Sequence, residues 1–401
     1  MKQFKFLVAT IATGAVLTLS SCKKDNFQAD NPEQSDLKTM MKESGQNPDE
    51  LALSSNQMNA ARHHSDPYVY TESNDLDSNR ILVYEEHPDG TLTTDGMATS
   101  GGQGNGMGLG SQGSVILTDD HKWLFAVNAG SNSISSFKVD NDGALTLKHT
   151  VSSYGNTPVS VCINNNKLYV VNSGSSDIQG YRVNANGTMT PINGSHQMLS
   201  AANAGPAQIS FGPNGNWVVV TEKMTNKISR FNLNGAGASG AAVVTASTGQ
   251  TPFGFSFAQN KYMIVSNAAG GAPNAGSCTS YGSRNGSFNP INGSVANAQS
   301  APCWVSTTAF GRYAFVTNTG SNNISSYYIN PSGQLYLVSA NPTASGMAPI
   351  DIVVSRDNMY VYALCSADHT IYYYSRTQYG GISLIGHIEG LPAHAAGLTE
   401  Y

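Results

Sequence analysis

The chain has 401 residues, of which only 12% are charged, with 41 glycines and 19 tyrosines; globular domains average about 25% charged residues, so this mix suits many short strands joined by turns. A formal charge of −5, with no basic cluster beyond Lys23 and Lys24, excludes the electrostatic footprint of a DNA- or RNA-binding protein. Five cysteines without a CxxC pair leave a structural zinc site without support.

In chain order, the first element is a targeting segment. Lys2 and Lys5 precede the apolar run "FLVATIATGAVLTL", which has the length of a secretory signal rather than of a membrane span. It ends in "LTLSSCKK", which resembles a bacterial lipoprotein signal: Leu19, then small Ser20 and Ser21, then Cys22. The resemblance implies cleavage before Cys22, lipidation of its thiol, and a place in the bacterial cell envelope. Contact with the membrane would then be through the lipid anchor only, at the outer membrane or cell surface, on a side left open. Residues 1–22 are thus expected to be the signal. Residues 23–66 are polar, lack apolar periodicity and read as a flexible tether, with a coil span of about 35 Å.

From Tyr68 onward one pattern recurs. A strand that leads into a polar, often Asn-rich turn opens at Tyr68 ("YVYTE"), Leu124 ("LFAVN"), Leu168 ("LYVVN"), Val218 ("VVVTE"), Met263 ("MIVSN"), Ala314 ("AFVTN") and Val361 ("VYALC"). A second pattern, an alternating strand led by Pro, occurs six times, at Pro158, Pro206, Pro252, Pro302, Pro349 and Pro392, spaced 48, 46, 50, 47 and 43 residues apart. "QGSVILT" at Gly113 is an unmarked version. Each unit therefore has a Pro-led strand A, a "YVVN" strand B, an "ISSY" strand C and an outer strand D after a turn such as "NDG" or "PSG". The first B strand lacks an A strand before it, and the last A strand has no B strand after it. Joining the two closes a ring of seven four-stranded sheets, an all-β seven-bladed β-propeller over residues 67–401, which leaves few free edges. An open solenoid would leave both ends incomplete. The glycine run "SGGQGNGMGLGSQG" has no following helix to hold a phosphate and reads as a loop between blades, and "DNDG" at Asp140 reads as a hairpin turn rather than a calcium loop.

Strand alternation sorts the A-strand residues. Two positions after each Pro stand Ser160, Gln208, Gly254, Trp304, Asp351 and His394, expected to face the central channel; the next positions are apolar and expected between blades. Gln208, Trp304, Asp351 and His394 thus form a candidate ring at the channel mouth, joined by Glu72 and Glu222 from the ends of strands B. The alternative is a set of solvated polar groups in a water-filled channel. Asn128, Asn172, Asn267 and Asn318, at equivalent B-strand ends, are expected to brace the following turn rather than bind ligand. Cys278 and Cys303 fall on neighbouring blades at the same end, where a disulfide could join them.

Repeats such as "YVVNSGSSDI" followed by "NGTMTPI" resemble the YVTN-type seven-bladed propellers of the lactonase family, the group of bacterial 6-phosphogluconolactonase and carboxymuconate cyclase. The resemblance spans residues 67 to 401 and implies catalytic charges where strands A begin and strands B end. One family segment reads Gly-Pro-Arg-His, an apolar strand, Pro-Asn-Gly, a Tyr-rich strand and Asn-Glu. Here it is "GPAQISFGPNGNWVVVTEK", with Ala207 and Gln208 in place of the Arg and His, Glu222 where the Asn stands and Lys223 where the Glu stands. A lactonase reading makes Glu222 and Asp351 the general bases, with His394 an alternative, and gives substrate binding to Gln208, Lys223, Trp304 and Glu72. It requires no cofactor and no metal, and it treats the protein as a monomer acting on a lactone or cyclic ester at the mouth. The second reading is a non-catalytic, surface-anchored propeller that binds a small molecule, glycan or protein there.

Overall fold

The computed structural model describes residues 67–284, 287–377 and 379–400. The lipidation site at Cys22 and the tether over 23–66 lie outside the described residues.

The chain forms seven antiparallel sheets of the strand order A-B-C-D. The B strands are Tyr68–Glu72, Trp123–Asn128, Lys167–Asn172, Trp217–Glu222, Tyr262–Asn267, Tyr313–Asn318 and Tyr360–Cys365, in blades 1 to 7. They are buried along almost their whole length, which is why "YVVN"-type segments are apolar on both faces instead of alternating. The A strands of blades 3 to 7 begin at Pro158, Pro206, Pro252, Pro302 and Pro349. Proline suits this place, the first residue of a strand, where no ladder bond is lost. The unmarked A strand of blade 2 is Val115–Leu117. The outer strands of blades 3 and 6 are each broken in two, at Met189–Pro191 with Gln197–Met198 and at Leu335–Leu337 with Thr343–Ala344.

Closure occurs as expected, with one correction. The C-terminal strand is Ala396–Glu400, paired antiparallel with Tyr68–Glu72, and it begins four residues after Pro392. Residues 392–395 instead form a turn, closed by the bond from the Ala395 amide to the Pro392 carbonyl (3.1 Å). The 43-residue final spacing was short because Pro392 is not the counterpart of the other prolines.

The core is distributed between blades. Seven apolar clusters lie one at each blade interface, from Tyr68, Tyr70 and Leu124 between blades 1 and 2 round to Val69, Tyr362 and Leu398 between blades 7 and 1. Two devices recur at these interfaces. The glycine of a C–D turn packs on the aromatic ring that opens strand B of the preceding blade: Gly143 on Tyr68, Gly187 on Trp123, Gly333 on Tyr262, Gly380 on Tyr313 and Gly90 on Tyr360. At Gly90 the backbone is left-handed (φ +81°) and a β-carbon would stand 2.2 Å from the Tyr360 ring, so only glycine fits. Two residues along strand B, the hydroxyls of Tyr70 and Tyr362 donate to the carbonyls of Gly143 (3.0 Å) and Gly90 (3.2 Å), and Tyr169 donates to Gly237 in the same way. These contacts account physically for the Tyr and the turn Gly of the repeat.

All four described cysteines are buried free thiols. Cys278 packs in the core between blades 5 and 6, with Val305 and Tyr327, and Cys303 in that between blades 6 and 7, with Trp304 and Phe315. The disulfide considered between them does not form, because the two side chains enter different interfaces.

Candidate functional site

The end of the ring where strands B finish and strands A begin carries the sequence-predicted mouth. Its centre is filled by the chain itself. The glycine-rich segment that leads into blade 2 passes over the axis, and its residues bond to several blades. Trp304 of blade 6 donates its indole N–H to the Ser111 carbonyl (2.8 Å). The Gln112 side chain reaches the same blade, donating to the Val305 carbonyl (2.9 Å) and accepting from the Val305 amide (3.1 Å). The Gln112 amide donates to the Ala207 carbonyl of blade 4 (2.9 Å), and the Ser111 hydroxyl to the Val159 carbonyl of blade 3 (2.7 Å). Lys223 of blade 4 donates its ammonium to the Gly110 carbonyl and lies 4.7 Å from the centre of the Phe253 ring. Farther out, Asn74 of blade 1 holds the Met107 carbonyl (2.6 Å). Gly254 makes room for this arrangement, since a β-carbon there would fall 2.2 Å from Gln112 Oε1.

The A-strand positions that face the axis are Ser114, Ser160, Gln208, Gly254, Trp304, Asp351 and Gly397, taking the register of each A strand against its B strand. Gly397, not His394, is the blade 1 member. His394 is exposed in the turn before the strand, which corrects its expected position facing the channel. Gln208 accepts from the Phe255 amide of the next blade (2.6 Å). Trp304 is 4% exposed and its ring lies 4.9 Å from that of Phe253, so it forms part of a plug rather than an open wall.

The two carboxylates expected as bases differ in surroundings. Glu222 is fully buried and accepts four hydrogen bonds: from the Ser200 amide (3.1 Å) and the Ser229 hydroxyl (2.5 Å) on Oε1, and from the Thr225 (2.6 Å) and Ser200 hydroxyls on Oε2. It replaces the asparagine of other blades, whose amides serve the same end. Asn128 donates to Ser133 and Ser135, Asn267 to Ser277 and Thr279, and Asn318 to Asn323 and Ser325. Asp351 is buried at the axis. Its Oδ1 accepts from the Ile352 amide (2.8 Å), its Oδ2 has no hydrogen-bond partner among the described residues, and burial pushes its pKa well above the usual carboxylate range although the Ile352 and Leu398 amides pull the other way.

Glu72, the last residue of the first B strand, is also fully buried. Burial raises its pKa to about 8, although the Asn79 amide donates to Oε2 (2.7 Å). Asn79 also holds the Val127 carbonyl (2.9 Å) and Asn128 Oδ1 (3.2 Å), tying blade 1 to blade 2. Lys223 is shifted down to about 8 by burial. Chemically, the mouth offers two acids that burial biases toward the protonated form and one cation that burial weakens, while the carboxyl oxygens of Glu222 are taken up by four donors. Among the described residues no group of three or more His, Cys, Asp or Glu side chains could hold a metal.

Sequence reasoning located Gln208, Trp304 and Asp351 at the axis and missed Ser111, Gln112 and Asn79. The blade 2 A strand, Val115–Leu117, carries no proline, so nothing in its spacing marked Gln112, three residues ahead of it, as a residue over the axis.

A family model described as lactonase, seven-bladed β-propeller, matches residues 59–201 and 164–272, together more than half of the chain. Among solved structures, a candidate 6-phosphogluconolactonase from Bacteroides uniformis superposes with a TM-score of 0.69 at 18% identity, covering 83% of this chain and 99% of that one. The periplasmic gluconolactonase of Pseudomonas aeruginosa gives a TM-score of 0.67 at 16% identity, over 84% of this chain and 98% of that one. A protein from Lactobacillus plantarum gives 0.70 at 16% identity, over 84% and 99%. At these identities the structures speak for the fold alone. No curated protein matches the chain.

Proposed function

Because this chain belongs to the lactonase family of seven-bladed β-propellers, we propose that it keeps the family's ring but uses the mouth face for binding instead of hydrolysis, as a propeller held at the bacterial envelope through a lipid on Cys22. The observation that carries this reading is the axial plug: Ser111 and Gln112 occupy the space over the axis, and the carboxyl oxygens of Glu222 are taken up by four donors. A general base needs a free lone pair within about 3 Å of the attacking water.

The same face supports a protein partner. Leu76, Met107, Met224 and Met347 are 65%, 63%, 71% and 54% exposed in its loops. The first three adjoin the plug: Gly106 packs beneath Leu76, Asn74 bonds the Met107 carbonyl, and Lys223, next to Met224, bonds Gly110. Flexible methionines on an exposed apolar patch suit an adaptable protein interface. The test is an assay on a panel of sugar lactones, phosphorylated and not, together with a photo-crosslinking residue at Met224. No turnover, with a specific crosslinked species at Met224, is expected. Turnover lost in Asp351→Asn would overturn the reading.

One observation favours hydrolysis as a second reading. Asp351 Oδ2 and Glu72 Oε1 are buried without hydrogen-bond partners among the described residues, and a protonated Asp351 would serve as a general acid toward a lactone admitted by displacement of the plug. In that case Lys223 would meet the developing oxyanion and Gln208 and Trp304 the substrate; Glu222 would act only after losing its donors, and His394 only after its turn refolds inward.

A further inference from the structure

At the end of the ring opposite the mouth, one aromatic of the repeat is left partly open. The first residue of strand B is aromatic in six blades, and in five of these the ring is closed over: Tyr68, Trp217, Tyr262, Tyr313 and Tyr360 are all at most 7% exposed. Trp123 is the exception and stays partly open. The C–D turn that covers it, Asn184–Gly187, carries Ala185, where the turns over Tyr262 and Tyr360 carry Pro331 and Pro88 and accept the tyrosine hydroxyls on those prolines' carbonyls. Gly187 packs against one part of the indole. The indole N–H has no hydrogen-bond partner among the described residues.

Two clefts meet at this ring. One, of about 680 Å³, is lined by Lys122, Lys138, Asp140 and Asp142. The other, of about 530 Å³, is lined by Asp119, Asp120, Asn166 and Asn184. Trp123 and Ala185 border both. Each volume is within the range of small-molecule sites, about 300–1,000 Å³. The walls carry carboxylates and amides that can accept and donate on adjacent hydroxyls, set around an indole that offers an apolar face and an N–H donor. Lys122 is paired with Asp120 (3.1 Å) and Lys138 with Asp140 (2.6 Å). Four aspartates line the two clefts against two lysines, so the lining carries excess negative charge.

We propose that Trp123 is the platform of an oligosaccharide-binding site on the face opposite the mouth, with successive pyranose units in the two clefts. The alternation of apolar C–H faces and hydroxyl rims on a pyranose matches an indole flanked by Asp and Asn. The excess negative charge selects neutral or amino sugars and rejects uronic or phosphorylated ones. This is separate from the mouth, and its success or failure does not depend on the reading given there. It also faces the end at which the chain enters the propeller, because Tyr68 packs on Gly143 of the same turn that supplies Asp140 and Asp142.

The experiment titrates the full chain with maltohexaose, cellohexaose, chitohexaose and a galacturonate hexamer, followed by calorimetry and by indole resonances in NMR. Binding of at least one neutral or amino hexamer is expected, with the galacturonate hexamer at least tenfold weaker. Trp123→Ala should weaken binding at least tenfold. Because Trp123 also supports an interface, Ala185→Arg gives an independent check: Ala185 is exposed, and an arginine there fills the shared border of both clefts without touching the core. Its melting temperature should be unchanged and its binding lost. Absence of binding by all four hexamers, or binding that survives Ala185→Arg unaltered, overturns the proposal.

Discussion

At the scale of single residues, Glu72 is the group whose environment has the most direct consequence. Its carboxyl ordinarily titrates near 4.5 and is raised by burial to about 8 in the folded chain. Between those two values the unfolded chain has released a proton that the folded chain retains, so stability falls as pH rises through that window and levels off above it. The slope for one such group is at most about 1.4 kcal/mol per pH unit. Asp351 and Glu400 are raised in the same direction by burial and add to it. Glu72→Gln, which keeps the shape and removes the titration, should flatten the curve of urea midpoint against pH between 5 and 8; parallel curves for the two proteins would refute the assignment. This residue was visible in the sequence as a B-strand end but not as a buried acid, because burial depends on Asn79 and on the neighbouring blade. The asparagine series was more legible: each was expected to brace the turn after its strand, and Asn128, Asn267 and Asn318 bond forward to side chains at the start of the next strand. Gln112 was not legible at all, since its partners lie 193 residues away on blade 6.

At the scale of elements, the strands and their turns were readable because they repeat, and the exception was the one strand whose proline marker was false. The packing of turn glycines on B-strand aromatics gives this scale its test. Gly90→Ala places a methyl group against the Tyr360 ring at a positive φ, and it should cost on the order of 2 kcal/mol. Gly96 supplies the control, since it lies in a blade 1 outer strand with open space at its β-carbon position, and Gly96→Ala should be close to neutral. Equal effects of the two substitutions on chemical denaturation would remove the turn glycines from the account of the interfaces. The partly open ring at Trp123 could not be read from the pattern, because "KWLFAVN" differs from its counterparts only in the turn that lies over it, one blade further on.

For the whole molecule, stability is shared among seven interfaces of similar make-up, and the ring has no end that can fray alone. Truncation after Gly390 removes Leu391, Ala395 and Leu398 from the core between blades 7 and 1 and leaves Tyr68–Glu72 as an unpaired inner edge. The truncated chain should unfold at a lower temperature in a single transition and aggregate through that edge. An unchanged melting profile would mean that closure contributes nothing. Seven blades and their closure were both legible from the offset between two counts of repeats, whereas the filling of the mouth was not, since a glycine-rich loop carries no periodicity to say where it lies. The closing contact also sets an order in time. Thr71 and Ala396, whose hydroxyl and carbonyl meet across the seam, are 325 residues apart, so the first blade waits for the last strand made. A ring with such a latch cannot complete its first sheet until residues 396–400 have been made, so the blade that begins first is the one finished last.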